Sequence, residues 1–177
     1  MELTLQQFDT IAAKCREIFI KKTHDYGTSW RILRPSSLTD QLYIKAWRIR
    51  SIEEKGVQQV SDPIADEFLG LVNYSIIALI QHDLPENTPL ELPLETVSAL
   101  YDQQLAETRR LLQQKNHDYG EIWRELRVSS MTDLILSKLL RIRQIEDNRG
   151  QTIASEGVDA NYRDIINYAI FALIKLS

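Results

Sequence analysis

Leu5, Phe8, Ile11, Ala12, Cys15, Ile18 and Phe19 recur at spacings of three and four residues, the period of one helical face. Thr4 and Gln7 stand where a capping box would open that helix, so a first helix is expected from about Leu5 to Lys22. Gly27 closes the Asp-Tyr-Gly turn behind it, and Trp30 to Arg34 fits a short helical turn that Pro35 interrupts. Ser37 is the expected N-cap of a second helix, with Asp40 in its first turn and Gly56 beyond its last. A third helix opens at Asp62-Pro63 and continues to about His82, apolar around its whole circumference and therefore central.

The same pattern then returns. Lys22-Thr23-His24-Asp25-Tyr26-Gly27 recurs as Lys115-Asn116-His117-Asp118-Tyr119-Gly120, and an offset of 93 makes 19 of the 33 positions from 22 to 54 identical with those from 115 to 147. Over the preceding helix, residues 5–21 against 98–114, only 3 of 17 agree: Asp9/Asp102, Ala13/Ala106 and Arg16/Arg109. The second copy's second helix is expected from near Ser130 to near Gly150, and its third from near Asp159 almost to Ser177. Between the copies, Pro85, Pro89 and Pro93 at spacing four exclude a regular helix. The chain divides into a first repeat (1–84), a Pro-rich linker (85–93) and a second repeat (94–177), with one core expected between them. No sustained alternating pattern marks a strand. An all-α fold follows: a tandem duplication of a three-helix unit, packed as a helical bundle about a pseudo-two-fold axis.

Composition narrows the setting. With 44% apolar and 26% charged residues, 6 Gly and 5 Pro, the chain is of ordinary globular type. A formal charge of −4 argues against strong general nucleic-acid binding. Cys15 is the only cysteine, so no intrachain disulfide forms, and a reducing cytoplasm is expected. Glu2, Gln6, Gln7 and Asp9 do not read as a secretion signal. The apolar stretches near Leu71–Ile80 and Ile165–Ile174 are about half the length needed to span a bilayer, so no membrane association is expected.

Lys45 is the most unusual residue chemically. It falls inside the apolar stripe of Leu38, Leu42, Ile49 and Ile52, and Lys138 repeats it among Met131, Ile135, Ile142 and Ile145. A buried, unpaired ammonium costs several kcal/mol, so it must pair with an acid of a neighbouring helix, receive an anion such as phosphate, or snorkel to water. Arg48 and Arg141 stand at the edge of the same faces. On the third helices Glu67 with Gly70 in one copy matches Asn161 with Asp164 in the other, so each copy keeps a different acid. A composite magnesium site would then need Asp25 or Asp118 beside Glu67 and Asp164. The simpler task for Asp25 and Asp118 is to fix the turn through their side chains, as Asp commonly does before glycine. Tyr26, Trp30, Tyr119 and Trp123 either stack on a base or sugar or seat the loop on the core. A glycine-rich phosphate loop, a dinucleotide fingerprint and a zinc-spaced Cys/His cluster are all lacking.

In Lys-x-His-Asp-Tyr-Gly-x-x-Trp-Arg, Ser-Ser-x-Thr-Asp, Lys-x-x-Arg-Ile-Arg and the later Asn-Tyr, the chain resembles a bacterial and phage family, the nucleotide modification associated domain 1, here in tandem. That resemblance implies a link to modified-nucleotide metabolism and carries over no catalytic residue. A more distant similarity is to the all-α MazG-type nucleoside triphosphate pyrophosphatases, which hold magnesium with Glu-x-x-Glu and Glu-x-x-Asp pairs. The matching acids would be Glu67 and Asp164, but Lys45-x-x-Arg48 and Lys138-x-x-Arg141 stand where the second helix should carry acids.

The chain therefore reads as a cytoplasmic helical protein that binds a small nucleotide or related phosphate compound between its halves. Lys45, Arg48, Lys138 and Arg141 would receive phosphate; Tyr26, Trp30, Tyr119 and Trp123 would contact base or sugar; Asp25, Glu67, Asp118 and Asp164 would hold a metal. Nucleotide (pyro)phosphohydrolase activity with magnesium is open, as is a homodimer. The alternative is a non-catalytic helical interaction module whose cations and acids form internal salt bridges.

Overall fold

A computed structural model describes residues 2–56 and 63–177, and six α-helices carry the fold. They are α1 (Glu2–Tyr26), α2 (Pro35–Lys55), α3 (Ile64–Asp83), α4 (Leu94–Tyr119), α5 (Val128–Asp147) and α6 (Val158–Leu176), with 3-10 turns at Ser29–Ile32 and Ile122–Glu125. No strand occurs among the described residues. The chain is thus a duplicated three-helix unit.

Several local expectations are corrected. Helix α1 runs four residues past Lys22, so His24, Asp25 and Tyr26 lie on its last turn and not in a loop. The stop is Gly27 at φ +62°, whose N–H donates to the Thr23 carbonyl at 2.7 Å. Pro35 starts α2 where an interruption was expected. Arg34 before it is extended (φ −67°, ψ 158°), as sterics require ahead of proline, and the ring's missing N–H is no loss at the first helical position. Ser37 consequently lies inside the helix, and α5 likewise opens at Val128, ahead of Ser130. Thr4 is not a cap either. It is fully buried within α1, where its hydroxyl donates to Glu121 Oε1 at 2.6 Å and accepts from Trp123 Nε1 at 3.3 Å. The expected cap Asp62 lies outside the described residues.

Helices α2, α3, α5 and α6 form the centre: α3 packs on α6, α2 on α3, α5 on α6, and α2 on α5 across the pseudo-axis. By length and composition α3 could cross a membrane, but here its apolar surface is used in packing, with Phe68, Leu71, Val72, Ile76, Leu79 and Ile80 essentially inaccessible. Each such side chain contributes about 1.5–3 kcal/mol through removal from water. Buried apolar side chains of both copies form one continuous core. Cys15 sits in it as a free thiol, its pKa pushed up to about 12 by burial, which leaves it protonated and unreactive.

The flanking helices α1 and α4 explain the sparse identities of the first helix. Arg16 donates from Nε and Nη2 to Asp102 at 2.7 and 3.0 Å, and Arg109 donates in the same way to Asp9 at 2.7 and 2.9 Å. One two-fold-related bidentate pair thus uses two of the three conserved positions. Both pairs are half exposed, so each is worth only about 0.2–1 kcal/mol, and their larger effect is to set how α1 crosses α4.

The linker is pinned, not slack. Thr28 Oγ1 donates to Leu90 O at 2.7 Å and accepts from Leu92 N at 3.0 Å, while buried Arg31 donates to Thr88 O at 2.8 Å and Pro89 O at 3.3 Å and pairs with Gln81 Oε1. Glu91 approaches Gly27 so closely that a Cβ there would lie 2.3 Å from Oε1.

Candidate functional site

The end of α1, the 3-10 turn after it and the middle of α3 enclose a cleft of about 370 Å³. Lys22, Tyr26, Trp30, Lys45, Asn73 and Tyr74 line it with Gly27, Asp66 and Gly70. The second repeat builds a counterpart of about 500 Å³, lined by Lys115, Tyr119, Trp123, Asn167 and Tyr168 with Gly120, Asp118 and Asp164. Every residue of the first cleft belongs to the first repeat and every residue of the second to the second. The residues of the recurring motif therefore line two separate clefts, one in each repeat, and do not meet in a single cleft between the halves.

Helix geometry produces this arrangement. Lys22 and Tyr26 are four residues apart at the end of α1 and so share its face, and Asn73 and Tyr74 stand about two and a half turns into the opposing α3. Tyr26 and Tyr119 are 70% and 73% exposed, leaving their rings available to a ligand. Trp30 and Trp123 are buried and only edge the clefts. Trp123 stacks on Phe171 with centroids 4.3 Å apart, so these tryptophans mainly seat the loop on the core.

The cations are distributed unevenly. Lys45 Nζ lies 3.9 Å from Glu67 Oε2 and 5.3 Å from the Tyr74 ring centre, and Arg48 takes the other carboxylate oxygen of Glu67. In the second repeat Asp164 is gripped from both sides, by Lys115 at 2.9 Å and Lys138 at 2.9 Å. Burial disfavours the Lys115 charge, yet its bond to Asp164 and that carboxylate's field outweigh the burial and raise its pKa. Tyr168 beside it is also shifted up, by burial first and by Asp164 second. Arg48 is directed at Glu67 and does not line the cleft; Arg141 is exposed and borders a different depression, with Tyr43 and Trp47.

The four candidate metal acids are not brought together. Glu67 and Asp164 are each held by two cations, and Asp25 and Asp118 are exposed, each within 3.4 Å of its own neighbouring histidine ring. Among the described residues no group of three or more His, Cys, Asp or Glu is placed to hold a metal ion. The turn-fixing role expected of Asp25 and Asp118 falls instead to Gly27 and Gly120, both at positive φ.

Sequence reasoning overlooked Lys22/Lys115, Asn73/Asn167 and Tyr74/Tyr168 as residues that line the clefts. Their signal was present in the repeat itself: each is identical between copies, and the asparagines interrupt an otherwise apolar helix. Asn73 is held by two bonds, its Nδ2 donating to Cys15 O at 3.0 Å and its Oδ1 accepting from Tyr101 OH at 2.8 Å. Phe8 stands at the position equivalent to Tyr101 in the first helix, and Asn167 Oδ1 is buried without a partner.

No curated protein and no solved structure matches the chain, so the distant likeness to MazG-type pyrophosphatases gains no support there. A family profile described as nucleotide modification associated domain 1 matches residues 22–82 and again 115–176, spans that begin at the two cleft lysines and end on the third helices. With both repeats matched, the chain belongs to the nucleotide modification associated domain 1 family as a tandem pair.

Proposed function

We propose that the chain binds a nucleotide or a related small phosphate compound in the cleft formed within a repeat. The observation that carries this is the duplicated cleft: a lysine pair, an exposed tyrosine and an Asn-Tyr wall are kept at equivalent places while the surrounding helices have diverged. Ammonium groups supply charge for phosphate, an exposed phenol supplies a face for a base or sugar, and the asparagine edge supplies directional hydrogen bonding. The family description points in the same direction. Hydrolysis would need magnesium to arrive with the ligand's own phosphates, because Glu67 and Asp164 are engaged by the protein's cations and no three acids are grouped to hold an ion among the described residues.

A thermal-shift panel of ribo- and deoxynucleotides, with and without magnesium, tests this. A ligand at one hundred times its Kd adds about 2.7 kcal/mol to the folded state. For a chain of this size that is roughly 5–10 °C in Tm. The shift is expected to vanish in Lys45→Met combined with Lys138→Met while the helical signal is retained. A second reading, an interaction module without ligand, is favoured by the internal pairing of Glu67 with Arg48 and of Asp164 with two lysines. It prevails if no nucleotide moves the parent's Tm and the double substitution unfolds the protein.

A further inference from the structure

The two clefts are built alike but charged differently, and the difference comes down to one position on the third helix. At that place the first repeat has Gly70 and the second has Asp164. The Asp164 carboxylate bridges Lys115 and Lys138, one oxygen to each, at 2.9 Å. Nothing equivalent stands between Lys22 and Lys45. Among the described residues Lys22 has no ion pair, and Lys45 has only the loose 3.9 Å approach to an oxygen of Glu67, whose other oxygen is occupied by Arg48. Lys22 and Lys45 with Asp66 leave +1 in the first cleft, whereas Lys115 and Lys138 with Asp118 and Asp164 cancel in the second.

We infer that the repeats are unequal: the first cleft receives the anion, an oxyanion such as a phosphate group bridging Lys22 and Lys45 over Gly70, and Asp164 permanently fills that place in the second. This rests on the ligand-binding reading above and adds which cleft is used and what blocks the other. Glycine at 70 is what keeps the place free. A Cβ built there would lie 3.1 Å from Lys45 Cδ and 3.3 Å from its Nζ, so any side chain would push into the lysine, and a carboxylate would land on its ammonium group. The contact is with the flexible end of a lysine, which can yield, so an aspartate at 70 is compatible with the fold. Exposed Asp66 also lines this cleft and makes no ion pair with either lysine among the described residues.

Isothermal titration with deoxynucleoside 5′-monophosphates, and with inorganic phosphate as the baseless probe, separates the possibilities. The parent is expected to bind one equivalent, Gly70→Asp to bind at least tenfold more weakly, and Asp164→Gly to bind two. Lys22→Ala, which removes an exposed side chain and so spares the fold, should also weaken binding at least tenfold. Two equivalents in the parent, or undiminished binding in both Gly70→Asp and Lys22→Ala, overturn the inequality while leaving nucleotide binding in place. Absence of binding by every protein, Asp164→Gly included, overturns the ligand-binding reading itself.

Discussion

Tyr101→Phe removes a single oxygen from the core, and the other repeat shows what its loss means. Tyr101 is fully buried, and its hydroxyl donates to Asn73 Oδ1 at 2.8 Å; its ring also packs on Phe19 with centroids 4.5 Å apart. Phenylalanine keeps the ring packing and takes away only the donor. With the donor gone, Asn73 Oδ1 loses its partner, as Asn167 Oδ1 lacks one in the second repeat. An orphaned buried acceptor costs about 1–3 kcal/mol, several times the effect of an ordinary surface change. Taking about 2 kcal/mol, the expected fall in Tm is roughly 4–8 °C for a chain of this length. Urea unfolding followed by circular dichroism measures it, with the m-value unchanged because the buried area is unchanged. A double-mutant cycle with Asn73→Ala should return a coupling of about 1 kcal/mol. A Tyr101→Phe protein within about 0.5 kcal/mol of the parent, or a coupling near zero, would show that the hydroxyl is not supporting Asn73 and refute this account of how the cleft wall is held.

Two other perturbations probe the linker and the half-buried acids. Arg31→Ala deletes the guanidinium that fastens Thr88 and Pro89 to the first repeat; a loss of about 3 kcal/mol and faster proteolytic cleavage between residues 84 and 93 are expected, and mass mapping of limited proteolysis would reveal a linker that does not depend on it. Burial raises the carboxyl pKa of both Glu53 and Glu146 above the ordinary 4.5, so folding favours their protonated forms. Stability from that preference is present below 4.5 and is lost as pH rises through the raised values. Glu53→Gln combined with Glu146→Gln should therefore have a higher Tm than the parent at pH 7 and the same Tm near pH 4; equal Tm values at both would count against it.

The periodicity of apolar residues and the internal repeat determined the helical class, the number of helices and the duplication, because helix faces and self-similarity are written at spacings of a few residues and at one constant offset. Element starts were less legible. Pro35 reads equally as an interruption or as a first helical residue, and Thr4 as a cap or a buried hydroxyl; the choice depends on what Arg34 and Glu121 do in three dimensions. The lysines inside apolar stripes were visible in the sequence, but their partners were not, since Glu67 and Asp164 lie on separate helices and pairing is settled by packing. Only the tertiary structure decided that the motif makes two clefts within repeats instead of one between them. It also showed that Asp9 and Arg16 are kept for contacts across the pseudo-axis, and that Asp164 is bonded to both Lys115 and Lys138 whereas Gly70 lies against Lys45. Each of these is a distance between residues far apart in the chain, which local pattern does not encode.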